Sequence, residues 1–204
     1  IPDSDGYFTA ESVDHVVAQA ERVSAIAIGP GLGRDTRTNP FVRAVLEQVD
    51  LPAVIDADGL WHLGRRPTWT RHRTAPTILT PHSGEAARLL GRERAQIDGD
   101  RLACARALAD LTGAVAVLKG PGAIVADPDG RACIDGIGTS ALATAGSGDV
   151  LTGIIATLLA KGMTALEAAI TGVALHSRAG SAAGRGDGTV AGDIIDALPE
   201  VIAG

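Results

Sequence analysis

Short, uninterrupted apolar runs alternate along the chain with stretches in which apolar residues recur every three or four positions. Several of the runs end at glycine, proline or aspartate, which is typical of buried strands followed by a loop. The strands predicted in this way span residues 25–28, 53–55, 77–80, 114–118 and 123–126, and the turn at 127–130 predicts a hairpin with residues 131–134.

The stretches between the runs predict helices, and from Gly148 onward the pattern is helical throughout. The predicted helices span residues 12–23, 40–49, 84–90, 99–111, 149–161, 165–183 and 192–202. Continuous apolar strands separated by helices are typical of a mostly parallel central sheet with helices on both faces. No long linker interrupts the pattern, so we expect residues 1–204 to form a single α/β domain whose C-terminal part is all helical.

Composition narrows the classes of function. Hydrophobic residues make up 46% of the 204 residues, too many for a disordered chain, and the formal net charge of −6 argues against a nucleic-acid partner. The best candidate for a membrane span, residues 150–160, is too short to cross a bilayer, so we expect no membrane partner. The two cysteines, Cys104 and Cys133, are expected to be reduced thiols in a cytoplasmic protein.

Candidate functional residues follow several predicted strands, at the ends where open α/β sheets bind ligands. The strongest candidate is the sequence Gly-Ser-Gly-Asp at residues 146–149, which leads into a helix. Small residues before a helix N-terminus let backbone N–H groups converge on an anion, and Asp149 could accept a proton from a substrate hydroxyl. A tight turn with Asp149 as a plain helix N-cap explains the same residues, and the sequence leaves both interpretations open.

Two further signals combine a polar side chain with a turn. His82 and Glu85 are three residues apart at a strand-to-helix junction, so they can face one pocket or can simply open the helix. Lys119 directly follows a strand and precedes a Gly-Pro-Gly turn, so it can hold a nucleotide or can be an exposed loop lysine.

Two weaker signals complete the set. Asp56 and Asp58 follow a strand and can help to hold Mg²⁺ through water, or they can cap a turn. The sequence Gly-Pro-Gly-Leu-Gly at 29–33 matches a dinucleotide-binding fingerprint only superficially, because the third glycine of that fingerprint is absent.

Taken together, these segments closely resemble one enzyme family. The segments are Gly-Pro-Gly-Leu-Gly at 29–33, Asp-Ala-Asp at 56–58, Thr-Pro-His-Ser-Gly-Glu at 80–85, Lys-Gly at 119–120 and Gly-Ser-Gly-Asp at 146–149. In this order they resemble the ADP-dependent NAD(P)H-hydrate dehydratases of the ribokinase-like superfamily, over nearly the whole chain. The segment around His82 discriminates best, because small-molecule kinases of the superfamily commonly carry asparagine in its place.

The resemblance implies a ribokinase-like fold and a repair reaction. ADP would phosphorylate the ring hydroxyl of NADHX or NADPHX, the hydrated forms of NADH and NADPH, and elimination of phosphate would restore the reduced ring and leave AMP. Asp149 would be the catalytic base, and Glu85 would contact a Mg²⁺ ion indirectly. The hydrated dinucleotide would contact Gly31, Gly33, His82 and Asp149. The adenine nucleotide would contact Lys119, Gly120, Pro121, Gly122, Ala123, Gly146, Ser147 and Gly148.

The chain also departs from the family pattern. Ser83 replaces the usual proline, and Trp61 stands where asparagine often follows the Asp-Ala-Asp segment, which leaves substrate contacts at that position open. The family domain usually starts with more sequence, so we expect the N-terminal part of the domain to lie outside these 204 residues. The resemblance further implies a homo-oligomer, with a tetramer favoured, and a fused or partner epimerase.

Two other functions stay open from the sequence. An ATP-dependent small-molecule kinase of the same fold, acting on a vitamin precursor or a sugar, would share Asp149 and the anion-binding turn, although His82 counts against it. A non-catalytic nucleotide-binding module would keep the same motifs.

Overall fold

The computed structural model describes residues 6–64 and 66–204, and in that part of the chain six strands form one sheet. The strands lie side by side in chain order: β1 Ile26–Ile28, β2 Ala53–Ile55, β3 Thr77–Leu79, β4 Val115–Leu118, β5 Ile124–Ala126 and β6 Ala132–Ile134. β1 to β4 are parallel, whereas β4 and β5 pair antiparallel, as do β5 and β6. The predicted mostly parallel sheet and its hairpin are confirmed.

Helices connect and cover the strands. The α-helices are α1 Val13–Ala20, α2 Asn39–Gln48, α3 Ala57–Leu63, α4 Ser83–Leu90, α5 Arg94–Gly99, α6 Arg101–Thr112, α7 Ser147–Ala160, α8 Ala165–Ala182 and α9 Ala191–Ala203. Short 3₁₀ helices span Ala10–Ser12, Thr36–Thr38, Pro67–His72, Ser140–Leu142 and Gly186–Gly188. After β6 the structure consists of helices and loops, as predicted. In the ranges given above, no helix combines the length and the apolar character that a membrane span requires.

The core lies on both faces of the sheet, because neighbouring residues of a strand point in opposite directions. On one face, Ile55 and Leu79 pack in a cluster with residues of α1, α2, α3, α4 and α6. On the other face, Val54 and Ile78 pack against residues of α7 and α8, among them Ile155. Every residue of β2 and β3 is buried, which explains why these strands are continuous apolar runs in the sequence.

The end of one predicted helix and the start of another are wrong, and two short helices were not predicted. α1 ends at Ala20, three residues before the predicted end. The helix predicted at 99–111 begins two residues later, at Arg101, because Asp100 accepts a 3.0 Å hydrogen bond from the N–H of Ala103 and so caps α6. α3 has seven residues and α5 has six, too few to show a helical period in the sequence.

The carboxyl ends of β1 to β4 lie along one edge of the sheet, since the four strands are parallel. Gly29 directly follows β1, Asp56 follows β2 and Lys119 follows β4. His82 lies three residues beyond β3 and forms an isolated parallel bridge with Lys119, which extends the β3–β4 pairing. The motifs found at the strand ends therefore meet at this edge.

Candidate active site

A buried ion pair lies at the carboxyl edge of the sheet. Lys119 Nζ is 2.6 Å from Asp56 Oδ1, and the hydroxyl of Thr152, in α7, donates a 2.8 Å hydrogen bond to Asp56 Oδ2. The side chain of Asp56 is 1% exposed and that of Lys119 is 20% exposed. The buried carboxylate of Asp56 therefore fixes the position of the Lys119 ammonium group, which still reaches solvent. Of the roles considered for Asp56, turn capping is wrong, because its side chain makes no capping hydrogen bond.

The glycine-rich turn passes directly over this lysine. Gly146 has a φ of +82°, a conformation that favours glycine, and Ser147 begins α7. A Cβ atom on Gly148 would lie 3.2 Å from Lys119 Nζ and 3.7 Å from Asp56 Oδ2. Within the part of the chain that the structure describes, the N–H groups of Gly146 and Gly148 have no backbone acceptor. These groups and the positive end of α7 can therefore bind an anion beside Lys119.

The side chain of Ser147 points into the protein. Its hydroxyl lies 3.0 Å from Nε2 of His176, in α8, and both residues are buried. Burial lowers the pKa of His176 to about 4, so the imidazole is neutral near neutral pH. The hydroxyl of Ser147 thus fastens the turn to α8, and nucleotide contact by this residue stays a prediction. Sequence reasoning missed His176, because a lone histidine within a helix carries no motif.

His82 is the N-cap residue of α4, and it forms a capping box with Glu85. The Nδ1 atom of His82 accepts hydrogen bonds from the N–H groups of Gly84, at 3.0 Å, and Glu85, at 3.2 Å. The carboxylate of Glu85 accepts a 2.8 Å hydrogen bond from the N–H of His82, and burial raises the pKa of that carboxyl. Because Nδ1 is an acceptor, the neutral ring carries its proton on Nε2. The helix-opening interpretation is confirmed, and the His82 side chain is still 59% exposed and accessible to a ligand.

The loop after β1 packs tightly against α3. Gly29 has a φ of +135°, and a Cβ there would lie 1.8 Å from the carbonyl oxygen of Asp56, so only glycine fits. The N–H of Gly33 donates a 3.0 Å hydrogen bond to Asp58 Oδ2, and its carbonyl oxygen lies 2.8 Å from Nε2 of His62. Asp58 and the buried His62 therefore shape the loop, and no sequence motif points to His62.

Gly31 and Gly33, the two glycines predicted to contact substrate, face open space. Their φ angles are +72° and +78°, and a Cβ on either would have no atom within 4 Å. A ligand can therefore approach the backbone closely at both positions.

The segment at 119–123 is held by Arg101, at the start of α6. The guanidinium donates hydrogen bonds to the carbonyl oxygens of Leu118, at 3.2 Å, and Gly122, at 3.4 Å. Gly120 has a φ of +136°, and a Cβ there would lie 2.9 Å from Arg101 Nη1. Arg101 is a third supporting residue, after His176 and His62, that the sequence did not reveal, since its contacts are to backbone atoms of a distant loop.

His82 lies between two cavities. One, of about 660 Å³, is also lined by Lys119, Gly120 and Pro121. The other, of about 310 Å³, is also lined by Trp61. The structure therefore brings His82 and Lys119, which follow different strands, to one cavity.

Asp149 lies in the first turn of α7, directly after Gly148, and is exposed. With Gly146 it borders a separate, largely apolar cavity of about 690 Å³ between α7, α8 and α9. The N-cap of α7 is Gly146, so the interpretation of Asp149 as a plain N-cap is wrong. Asp149 directly follows Gly148, which lies beside the Asp56–Lys119 ion pair, and it does not line the two cavities described for His82.

A mostly parallel sheet with a glycine-rich turn over a lysine at its carboxyl edge defines a ribokinase-like α/β protein. The solved structure of a ribokinase-like superfamily protein from Enterococcus faecalis V583 superposes with a TM-score of 0.80 at 27% identity, covering 95% of this chain and 67% of that one. The sequence model of the NAD(P)H-hydrate dehydratase family matches residues 5–200, and the chain belongs to that family.

Two relatives show how much of the family's length this chain spans. It is 43% identical to the bifunctional NAD(P)H-hydrate repair enzyme of Moorella thermoacetica, over 97% of this chain and 38% of the relative. The crystal structure of the ADP/ATP-dependent NAD(P)H-hydrate dehydratase of Bacillus subtilis, co-crystallised with ATP and Mg²⁺, superposes with a TM-score of 0.80 at 34% identity, over 88% of this chain and 64% of that one. The chain thus spans less than two thirds of the length of both relatives.

Proposed function

We propose that this protein catalyses the ADP-dependent dehydration of NADHX and NADPHX to NADH and NADPH, with release of AMP and phosphate. The observation that carries the proposal is the Asp56–Lys119 ion pair beneath the Gly146–Gly148 turn. The pair fixes a cation beneath a turn in which the N–H groups of Gly146 and Gly148 have no backbone acceptor among the described residues, and the exposed Asp149 directly follows Gly148. The names of the relatives from Bacillus subtilis and Moorella thermoacetica support the same reaction.

The first step is transfer of a phosphoryl group. Asp149 accepts the proton of the ring hydroxyl as the hydroxyl oxygen attacks the β-phosphorus of ADP, and the bond from that phosphorus to the bridging oxygen breaks to leave AMP. Lys119 and the N–H groups of Gly146 and Gly148 stabilise the negative charge on the transferred group. Departure of phosphate, with a proton from the adjacent ring carbon, then restores the ring double bond.

The two substrates approach from different sides of the turn. The adenine nucleotide lies against the segment at 119–123, which includes Gly122 and Ala123, and against the Gly146–Gly148 turn. The hydrated dinucleotide lies against Gly31 and Gly33, with His82 and Asp149 as side-chain contacts. Open backbone at the two glycines and the exposed ring of His82 support this assignment.

A magnesium ion suits this site as a companion of the nucleotide. In residues 6–64 and 66–204, no group of three or more histidine, cysteine, aspartate or glutamate side chains could hold a metal ion. Mg²⁺ in such enzymes usually keeps several waters and binds phosphates with one or two carboxylates, and it neutralises charge on the transferred phosphoryl group. Glu85, 13% exposed, would contact the ion through water.

Assembly and location are further parts of the proposal. We expect a homo-oligomer, with a tetramer favoured, and exposed Ile195 and Ile202 on α9 support a protein interface. The bifunctional relative supports an epimerase as a fused or separate partner. Free Cys104 and Cys133 support a cytoplasmic location.

The assay that tests the function follows the reduced ring. Incubation of the purified protein with NADHX, ADP and Mg²⁺ is expected to restore the near-UV absorbance of reduced nicotinamide, with one AMP formed for each ring restored. A small-molecule kinase would instead phosphorylate a vitamin precursor or sugar with ATP and leave NADHX unchanged. A non-catalytic module would bind ADP and do neither, and either result would overturn the proposal.

A further inference from the structure

A cavity beside the proposed substrate site contains two arginines and a tryptophan that the proposed reaction does not use. The cavity has a volume of about 310 Å³ and is lined by Arg34, Trp61 and Arg88, among others. It meets His82, which also lines the cavity of Lys119. A ligand that reaches His82 can therefore extend into this cavity.

Arg88 is held at the cavity by Trp61. Its guanidinium carbon lies 4.7 Å from the centroid of the Trp61 ring, a cation–π contact, and His62 meets the same ring edge-on with centroids 5.0 Å apart. Among the described residues, no carboxylate lies within ion-pair distance of Arg88. Trp61 therefore orients a cation that has no anionic partner among residues 6–64 and 66–204.

Arg34 also lines this cavity, and it forms an ion pair with Asp58. Its Nε atom donates a 2.7 Å hydrogen bond to Asp58 Oδ1, and the Arg34 side chain is still 60% exposed. Because Asp58 uses Nε, the two terminal nitrogens are available to a ligand. Glu85 also lines the cavity, but it is 13% exposed and its carboxylate accepts a hydrogen bond from the N–H of His82. Two guanidinium groups therefore dominate the accessible charge of the cavity.

We propose that this cavity binds a phosphate group of the hydrated dinucleotide, with Arg34 and Arg88 contacting the phosphate and Trp61 positioning Arg88. The inference rests on the proposed function, which supplies the dinucleotide. Guanidinium groups match phosphate oxygens with paired hydrogen bonds, whereas an apolar or cationic ligand would leave the charge of Arg88 uncompensated. The phosphate is either the pyrophosphate that NADHX and NADPHX share or the 2′-phosphate of NADPHX alone.

Equilibrium binding tests the cavity without turnover. The chain has two tryptophans, so the Trp69→Phe variant leaves Trp61 as the single tryptophan reporter. NAD⁺ and NADP⁺ carry the same phosphates as the substrates, and we expect binding to change the Trp61 emission. In this background Arg88→Gln is expected to weaken binding roughly tenfold or more. A similar loss for both dinucleotides identifies the pyrophosphate, and a loss confined to NADP⁺ identifies the 2′-phosphate.

Arg43 offers a matched control, because it is an exposed arginine that also packs over a tryptophan. Its guanidinium carbon lies 5.0 Å from the Trp69 centroid, and both residues line a cavity away from the carboxyl edge of the sheet. In the protein with both tryptophans, Arg88→Gln and Trp61→Asn should raise KM for the dinucleotide and leave KM for ADP unchanged. Arg43→Gln should change neither, and Trp61→Phe, which keeps a ring beneath Arg88, should retain most of the affinity.

The results separate this inference from the proposed function. If NADHX is turned over but Arg88→Gln leaves both dinucleotide affinity and KM unchanged, the cavity assignment is wrong and the function stands. If NADHX is not turned over while NADP⁺ still binds in an Arg88-dependent way, the function is wrong and the cavity assignment stands. Absence of any dinucleotide binding overturns the cavity assignment.

Discussion

Asp56 and Lys119 form an ion pair in which the buried partner is the acid and the partner that reaches solvent is the base. Replacing Asp56 by asparagine would leave the ammonium group without its counterion. Removal of one partner of a fully buried pair typically costs about 3–5 kcal/mol, and access of Lys119 to water reduces this cost. We expect Asp56→Asn to lower stability by about 2 kcal/mol, or roughly 4–8 °C in Tm, and to raise KM for ADP as Lys119 loses its fixed position.

Asp127 provides the matched control for this prediction. It is 3% exposed and pairs with the exposed Arg131, in a part of the molecule away from the glycine-rich turn. Asp127→Asn should therefore lower Tm in the same way but leave KM for ADP unchanged. An equal change of KM in both variants would show that Asp56 acts only through global stability.

Replacement of Asp149 is expected to affect activity strongly and stability very little. Its side chain caps no helix and is exposed, so its replacement should leave folding almost unchanged. Asp149→Asn keeps the shape but cannot accept the hydroxyl proton, so kcat should fall by about 10²–10⁴-fold while ADP affinity stays nearly constant. Steady-state kinetics and calorimetric titration with ADP measure the two effects. Retention of most of the activity would assign the proton transfer to another group.

At the scale of elements, the hydrophobic pattern predicts the buried strands and the long helices but misses two short helices. β2 and β3 were predictable because burial on both faces turns each strand into a continuous apolar run. α7 and α8 were predictable because they are long, with 14 and 18 residues. α3 and α5 were not, since fewer than two helical turns show no period. The break between α5 and α6 depends on one side chain, that of Asp100, which a periodic pattern does not distinguish.

The motifs of the candidate site were predictable from the sequence, but the side-chain contacts that join them were not. Motifs after parallel strands had to converge, because the carboxyl ends of such strands share one edge. The contact between Asp56 and Lys119 joins residues 63 positions apart, and it depends on two side-chain conformations that no local pattern specifies. His62 and His176 carry no motif at all, because each acts by fastening one loop from within a helix.

The loop after β1 provides a prediction at the same scale. Gly29 and Gly31 both have positive φ, but a Cβ on Gly29 would overlap the carbonyl oxygen of Asp56 at 1.8 Å, whereas a Cβ on Gly31 would meet open space. Gly31→Ala should therefore cost only the backbone strain, roughly 1–2 kcal/mol. Gly29→Ala should cost considerably more, because β1 and α3 must also separate. Urea unfolding of the two variants checks the difference, and equal losses would mean that the close approach is relieved without cost.

At the scale of the whole molecule, α8 connects the stability of the fold with the shape of the site. Val173 of α8 packs on the sheet, and His176, one turn later, bonds to Ser147 in the glycine-rich turn. The same helix carries Ser177, whose hydroxyl donates a 2.6 Å hydrogen bond to Asp135 in the loop after β6. Protonation of His176 would therefore disturb both the packing of α8 on the sheet and the hydrogen bond that holds the glycine-rich turn.

This connection predicts how stability depends on pH. Burial lowers the pKa of His176 from 6.5 to about 4, so below pH 6.5 the unfolded chain binds a proton that the folded protein does not. The stabilisation from neutral His176 is complete above pH 6.5 and is lost as the pH falls toward 4, and buried His62, whose pKa is also lowered, acts in the same direction. Burial raises the pKa of Glu85, so the folded protein takes up a proton there before the unfolded chain does, and this partly offsets the loss of stability as the pH falls. Between pH 7 and 4.5 we expect the protein to lose about 2 kcal/mol more stability than His176→Gln, whose side chain does not titrate. Urea unfolding at a series of pH values measures both slopes, and identical slopes would mean that His176 is protonated in the folded protein as readily as in the unfolded chain.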